Sequence, residues 1–114
     1  MTLNTEEIRE RYRKLALEWD ASKDDPKKAN RAFKKHHSFY KEIRNLESGR
    51  IAIELLREDP APVVRLLAAT HCLPFDPGPS EKVLTELEGG VGTYAVDAKY
   101  TLINFRSGTL NLDW

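Results

Sequence analysis

Three histidines and one cysteine are the side chains of this 114-residue chain best suited to catalysis or metal binding. His36 and His37 are adjacent, so on a helix they point about 100° apart and do not chelate one ion together. A metal site or a general base would therefore need His71 to approach one of them through the tertiary fold. The alternative is that His36 fills the edge of the core and His37 faces solvent. We favour the alternative, because the chain has no His-x-x-x-His motif and no paired cysteines.

Cys72 follows His71 directly, which raises the possibility of a nucleophile and its base. Neighbours on a helix point in different directions, however, and Cys72 lies in an apolar stretch, where it is expected to be a small buried hydrophobe. A hydrolase would also need His71 or His36 to meet a carboxylate such as Asp97 in a cleft. We therefore expect no catalytic activity, no cofactor and no metal.

Composition points to one water-soluble globular domain, 1–114. Apolar residues make up 40% of the chain and charged residues 32%, with 18 basic residues against 18 acidic ones. Nucleic-acid-binding proteins usually carry a basic excess, so neutrality argues against that role. No apolar run reaches the ~18 residues of a membrane span, and the N-terminus lacks a signal-peptide pattern. The expected location is the cytoplasm, with no membrane contact.

Two long amphipathic helices are predicted in the first half. Asn4 can cap the first, with Glu7 completing a capping box. The Asp25–Pro26 pair starts the second, since a carboxylate caps the free amides and proline needs no amide partner. That helix is predicted to stop at Ser48–Gly49, where glycine can take a left-handed conformation. The two helices should pack as an antiparallel hairpin over 1–48.

Four shorter helices are predicted in the second half. Three prolines and a glycine make 74–79 a loop, after which Ser80 caps the fifth helix. The fourth helix is apolar nearly all round, which is typical of a central helix. The predicted ranges are 51–58 and 63–73 for the third and fourth helices, one helix from Ser80 to Gly89–Gly90, 94–106 for the sixth, and 107–114 for a tail.

The segment 59–73 resembles the second half of a HEAT repeat. It contains an Asp-Pro turn, a Val-Arg pair, a small Ala-Ala pair and a closing Leu, in that order. A weaker copy follows at an offset of 29 residues, in which Leu55 maps to Leu84, Ala69 to Ala98, and Leu73 to Leu102. These matches predict a HEAT-like pair over 50–73 and a degenerate second pair over 80–106.

Nearly the whole chain resembles small bacterial proteins of the domain of unknown function 2019 family. The resemblance is carried by Ala29-Asn30-Arg31-Ala32-Phe33-Lys34-Lys35, the centre from Asp59 to His71, Asp97-Ala98-Lys99 with Leu102, and Gly108-Thr109-Leu110. Phe105 stands where such sequences often have tryptophan. The resemblance implies an all-helical, HEAT/armadillo-like fold. Members look like the immunity halves of bacterial toxin systems, which implies a protein partner.

Several polar residues are candidates for binding that partner. Asn30 and the basic run around it could bind phosphate or RNA, or form a solvated helix face. Arg65 and Asp97 could line a concave surface or pair with each other, and Trp114 could tuck onto the last helix or contact a partner. The predicted partner-binding residues are Asn30, Lys34, His37, Arg65, Asp97 and Lys99.

These observations together predict an all-α domain of about six helices, stacked with a right-handed turn as antiparallel pairs in a HEAT/armadillo-like repeat. Helices two, four and six would form its inner face. Such stacks bind proteins and seldom do chemistry. We expect a non-enzymatic protein-binding module, most specifically an immunity protein that occludes a bacterial toxin. The alternative is a nucleic-acid-associated protein that uses the lysine-rich second helix.

Overall fold

A computed structural model describes residues 3–114, and within that range the chain forms six α helices and no strand. The all-α prediction is confirmed. Residues 1 and 2, with which the predicted 1–48 hairpin begins, lie outside the described residues. The helices are α1 (Thr5–Ala21), α2 (Pro26–Ile43), α3 (Glu47–Leu56), α4 (Pro62–Cys72), α5 (Pro77–Glu88) and α6 (Thr93–Arg106).

The chain divides into two compact units, the first ending at Leu56 and the second beginning at Arg57. The first unit holds α1 to α3 and the second holds α4 to α6. The division falls inside 50–73, the range predicted to form a HEAT-like pair. That pairing, and an inner face built from helices two, four and six, stay predictions.

The first two helices start where their caps predict. The Oδ1 atom of Asn4 accepts a hydrogen bond from the Glu7 amide at 2.8 Å, and Oδ1 of Asp25 accepts one from the Lys28 amide at 3.3 Å. Both caps satisfy amides that have no partner inside the helix. Pro26 follows its cap as the first residue of α2.

Aromatic contacts hold α1 and α2 together. The Trp19 and Phe33 rings lie 4.8 Å apart between centroids, and the Tyr12 and His36 rings 4.2 Å apart. Residue numbers fall along α1 as they rise along α2, so the two helices run antiparallel. α3 packs against both, chiefly against α1. The buried apolar side chains of the unit are Ile8, Tyr12, Leu15, Ala16, Phe39, Tyr40, Ile43, Ala52, Ile53 and Leu56.

Gly49 has a different role from the predicted one. α2 ends at Ile43, and Gly49 lies buried inside α3 without a positive φ angle. A Cβ atom at this position would overlap the backbone carbonyl oxygen of Ile43. The prediction that Gly49 ends α2 with a left-handed cap is therefore wrong. Glycine is needed here because the backbones of α3 and the end of α2 approach too closely for any side chain.

We expect Gly49→Ala to lower the free energy of unfolding by about 3 kcal/mol, because the new methyl group overpacks a backbone contact that cannot yield. Urea unfolding followed by circular dichroism measures the change. Gly78→Ala is the matched control: it lies in the first turn of α5 with no atom within 4 Å of an added Cβ. It should be neutral or stabilising by up to about 1 kcal/mol. Equal effects of the two substitutions would contradict the close-approach role.

The second unit is built around α4, which packs against both α5 and α6. Ala69 of α4 and Ala98 of α6 are fully buried in its core, where small side chains allow close helix approach. Leu55 and Leu84, aligned by the 29-residue offset, differ in environment: Leu84 is fully buried, but Leu55 is 50% exposed. The buried core cluster comprises Leu66, Ala69, Leu73, Leu84, Ala98 and Leu102.

The start of α5 differs from the prediction. The helix begins at Pro77, so 77–79 are helical and only the first part of the predicted 74–79 loop is irregular. Ser80 is buried inside the helix, and its hydroxyl donates to the Asp76 carbonyl at 2.8 Å. The predictions of a loop to Pro79 and of a Ser80 cap are therefore wrong. Prolines fit the first helical turn because amides there have no intrahelical acceptor to lose.

Arg57 ties the start of the second unit to α5. Its Nη1 atom lies 2.9 Å from Oδ2 of Asp76 and donates to the Ser80 hydroxyl at 3.0 Å, while only 11% of the side chain is exposed. The Arg57 carbonyl accepts a hydrogen bond from Nε of Arg65 at 3.3 Å. The guanidinium group thus binds Asp76, the residue that precedes α5, and the Ser80 side chain inside that helix.

Arg57→Met should lower the free energy of unfolding by about 2 kcal/mol. Removing one partner of a fully buried ion pair costs more than about 2 kcal/mol of unfolding free energy. Asp76 is 34% exposed, however, so water solvates its carboxylate and reduces this cost. The control is Arg106→Met, whose ion pair with Glu81 is largely exposed, at 60% for the arginine. That change should cost less than about 0.5 kcal/mol. Chemical denaturation of both variants measures the two losses of unfolding free energy. Equal losses would contradict this role of Arg57.

Candidate functional site

His36 and His37 are both buried, at 1% and 4% exposure. The expectation that His36 belongs to the core is confirmed, whereas the expectation that His37 faces solvent is wrong. The pKa of His36 is lowered to about 3, chiefly by burial and also by the neighbouring His37, while a hydrogen bond to the Tyr12 backbone opposes the shift. Since His37 packs beside Tyr40, its side chain is not offered to a partner at the surface.

Acid should unfold the protein partly through His36. This histidine stays neutral in the folded state, but its unfolded-state pKa is near 6.5, so the unfolded chain binds the proton first. Its contribution to stability is complete above pH 6.5 and is lost as the pH falls from 6.5 toward 3, by up to about 1.4 kcal/mol per pH unit. Urea unfolding at intervals between pH 7.5 and 5 measures the slope, and His36→Gln should reduce it. An unchanged slope in that variant would contradict the assignment.

The remaining candidates for catalysis lie in different environments of the second unit. His71 and Cys72 are buried, and Cys72 forms no disulfide, as expected of a small core residue. Asp97 is exposed on α6. Among residues 3–114, no group of three or more His, Cys, Asp and Glu side chains is arranged to hold a metal ion.

Arg65 forms an ion pair with Glu86, whereas the sequence suggested Asp97 as its possible partner. Its Nη2 atom lies 3.0 Å from Oε2 of Glu86 on α5, so a pair with Asp97 is not formed. Arg65 links α4 to α5 and is partly covered. Asp97 and Lys99 lie on the exposed surface of α6, where both remain accessible.

An apolar face of α6 is left uncovered by the other helices of the second unit. Val96, Tyr100 and Ile103 are exposed by 53%, 57% and 47%. Their spacing of four and three residues aligns them along about 10 Å of one helix face, opposite the buried Ala98 and Leu102. We call these three residues the α6 apolar face. Sequence reasoning missed it because it predicted a helix over 94–106 without placing Val96, Tyr100 and Ile103 on any face of it.

A second surface feature is a cluster of exposed basic side chains on α2. Its members are exposed, occupy positions i, i+1, i+4, i+7 and i+8 of α2, and cover a sector of about 120° over about 12 Å. We call this set the α2 cationic face: Lys27, Lys28, Arg31, Lys34 and Lys35. Asn30 is exposed at its edge.

Charge is divided unevenly between the two units. Through Leu56 the chain has thirteen Lys and Arg against ten Asp and Glu, whereas from Arg57 it has five against eight. The overall neutrality therefore conceals a basic unit and an acidic one. Nucleic-acid and protein partners sense such local charge rather than the total.

The C-terminal tail is attached at its start and exposed at its end. The Leu110 amide donates to the Asn104 carbonyl at 3.1 Å, and the Leu110 side chain packs against the core of the second unit. Trp114 is 48% exposed. Three other large exposed apolar residues lie on or just before α3, Leu46, Ile51 and Leu55, and Val91 is exposed just before α6.

None of the helices described between residues 3 and 114 is long and apolar enough to span a membrane.

Comparison with known proteins identifies the fold. The chain is similar to a crystal structure of the protein RPA1889 from Rhodopseudomonas palustris CGA009, with a TM-score of 0.85 and 24% sequence identity. The match covers 96% of this chain and 94% of that one. The all-helical fold is therefore one that this protein shares with a solved structure. No family model and no curated protein matches the chain, and the resemblance to the domain of unknown function 2019 family stays a prediction.

Proposed function

We propose that this protein is a non-enzymatic protein-binding module and that the α6 apolar face is its main contact surface. The observation that carries the proposal is the alignment of Val96, Tyr100 and Ile103, each about half exposed, along one helix face. Single exposed apolar residues are normal on soluble proteins, but an aligned group marks a surface that another molecule covers. Tyrosine is also a residue type enriched at protein interfaces.

The residues around the α6 apolar face disfavour an antiparallel pairing with a second copy of this chain. Lys99 and Arg106 flank the face on one side, while Asp97 and Asn104 flank it on the other. In an antiparallel pairing of two α6 helices, the flank with the two cations would meet its own copy, and like charges would oppose each other. A partner helix with carboxylates on that flank would avoid this repulsion.

The particular partner we propose is a bacterial toxin, which makes this chain an immunity protein. The resemblance to small bacterial proteins that look like immunity halves of toxin systems supports this narrower proposal. A toxin encoded beside this protein should kill cells when it is expressed alone. Co-expression with this protein should restore growth, because occlusion of the toxin needs no catalysis by the inhibitor.

The contact surface is tested by a triple substitution, Val96→Ser, Tyr100→Ser and Ile103→Ser. Each half-exposed side chain contributes about 1 kcal/mol when a partner completes its burial, so the triple variant should bind the captured partner at least tenfold more weakly. Affinity capture of the tagged protein in its native host, with neighbouring genes co-expressed, supplies the partner. Titration calorimetry then compares the variant with the unmodified protein.

The matched control is Ile51→Ser with Leu55→Ser, which removes exposed apolar side chains of α3 in the other unit. This variant should bind the partner within twofold of the unmodified protein. Binding lost in the control and kept in the α6 variant would overturn the assignment of the surface. Failure to capture any stoichiometric protein would overturn the proposed function.

A further inference from the structure

The cations of the α2 cationic face are not held in ion pairs by the residues that the structure describes. None of its five residues forms an ion pair within residues 3–114, and the one acidic residue of α2 is Glu42, near its other end. In the second unit, by contrast, Arg57, Arg65 and Arg106 each contact a carboxylate. Five like charges on about 12 Å of helix repel one another, and an anionic partner would relieve that repulsion.

A groove between α1 and α2 gives this face a shape as well as a charge. Its lining combines two alanines with three cations and one carboxylate: Ala21, Ala32, Lys28, Arg31, Lys35 and Glu18. Small apolar side chains beside cations are complementary to a helix that carries small apolar residues on one side and carboxylates next to them. Electrostatic attraction would steer such a partner to the groove before the apolar contact forms.

The small apolar side chains in the groove favour a polypeptide over a nucleic acid, whose backbone would bring only phosphates and sugars to them. Glu18 also lines the groove and repels phosphates and carboxylates alike, so the carboxylates of a partner would follow the cations of the groove. The aromatic residues of α2 are turned away from the cationic face: Phe33 packs on Trp19, and Phe39 and Tyr40 are buried. No aromatic side chain of α2 is therefore offered for base stacking, on which binding to single strands depends.

We propose that the α2 cationic face and the adjoining groove dock an acidic amphipathic helix of a partner protein. Carboxylates spaced at i, i+3 and i+7 on that helix pair with Lys28, Arg31 and Lys35, the cations that line the groove and have the same spacing. Small apolar residues beside the carboxylates cover Ala21 and Ala32. The inference rests on the proposed protein-binding function, and it names a second contact surface on a different helix and in a different unit from the α6 apolar face.

The test uses a synthetic 18-residue helical peptide with glutamates at that spacing and alanines on the adjoining face. A peptide of the same composition in scrambled order is its control, and a 20-base-pair DNA duplex and a 20-nucleotide RNA are the competing probes. Fluorescence anisotropy with the full chain measures binding at 50 and 300 mM salt. The designed peptide should bind at least tenfold more tightly than the scrambled peptide, and more tightly than either nucleic acid.

The variant Arg31→Gln with Lys35→Gln should weaken binding of the designed peptide at least tenfold. Lys82→Gln with Lys99→Gln removes the same charge from exposed positions of the second unit, and it should change binding less than twofold. Equal losses in the two variants would overturn the proposal in favour of unspecific charge attraction. Absence of peptide binding, or tighter binding of DNA or RNA with a steep salt dependence, would also overturn it.

The α6 triple-serine variant separates this inference from the proposed function. It should bind the designed peptide as the unmodified protein does, because the peptide contacts only the first unit. If partner capture fails but the peptide binds specifically, the proposed function is wrong and the cationic docking face stands. If the partner is captured but the peptide does not bind, only the docking face is wrong.

Discussion

The first unit depends on the close approach of Gly49 to the carbonyl oxygen of Ile43. Only three residues separate α2 from α3, so the chain must reverse direction with little backbone to spare. A residue without a side chain lets α3 start at once and pack against α1. Burial of Ala52, Ile53 and Leu56 then follows from the position of α3, and these residues complete the core formed by α1 and α2.

In the second unit, small side chains and one ion pair allow the helices to pack closely. Ala69 and Ala98 bring α4 and α6 close together, while Arg57 binds Asp76 and Ser80 at the start of α5. The core uses one face of α6, so the opposite face keeps Val96, Tyr100 and Ile103 in contact with water. A helix with apolar residues on two opposite faces, of which only one is buried, leaves apolar surface exposed, and that surface is the basis of the proposed protein contact.

The two proposed surfaces differ in the physics of recognition. The α6 apolar face would contribute affinity through burial of surface, which is insensitive to salt. The α2 cationic face would contribute attraction at longer range, which salt screens. A partner that used both would need an apolar patch and an acidic segment. The first unit is basic and the second, from residue 57, is acidic. A partner would therefore recognise the charge of each unit and not the net charge of the protein.

The sequence by itself determined the helical class, the caps at Asn4 and Asp25, and the burial of His36 and Cys72, because cap chemistry and helical periodicity act over three or four residues. Only the tertiary structure decided the environments of Gly49, His37, Leu55 and Ser80, and the ion pair between Arg65 and Glu86. Of the predicted binding residues, Asn30, Lys34, Asp97 and Lys99 are exposed, whereas His37 is buried and Arg65 is held in an ion pair. Periodicity tells which residues share a helix face, but contacts between residues distant in the chain decide which faces are covered.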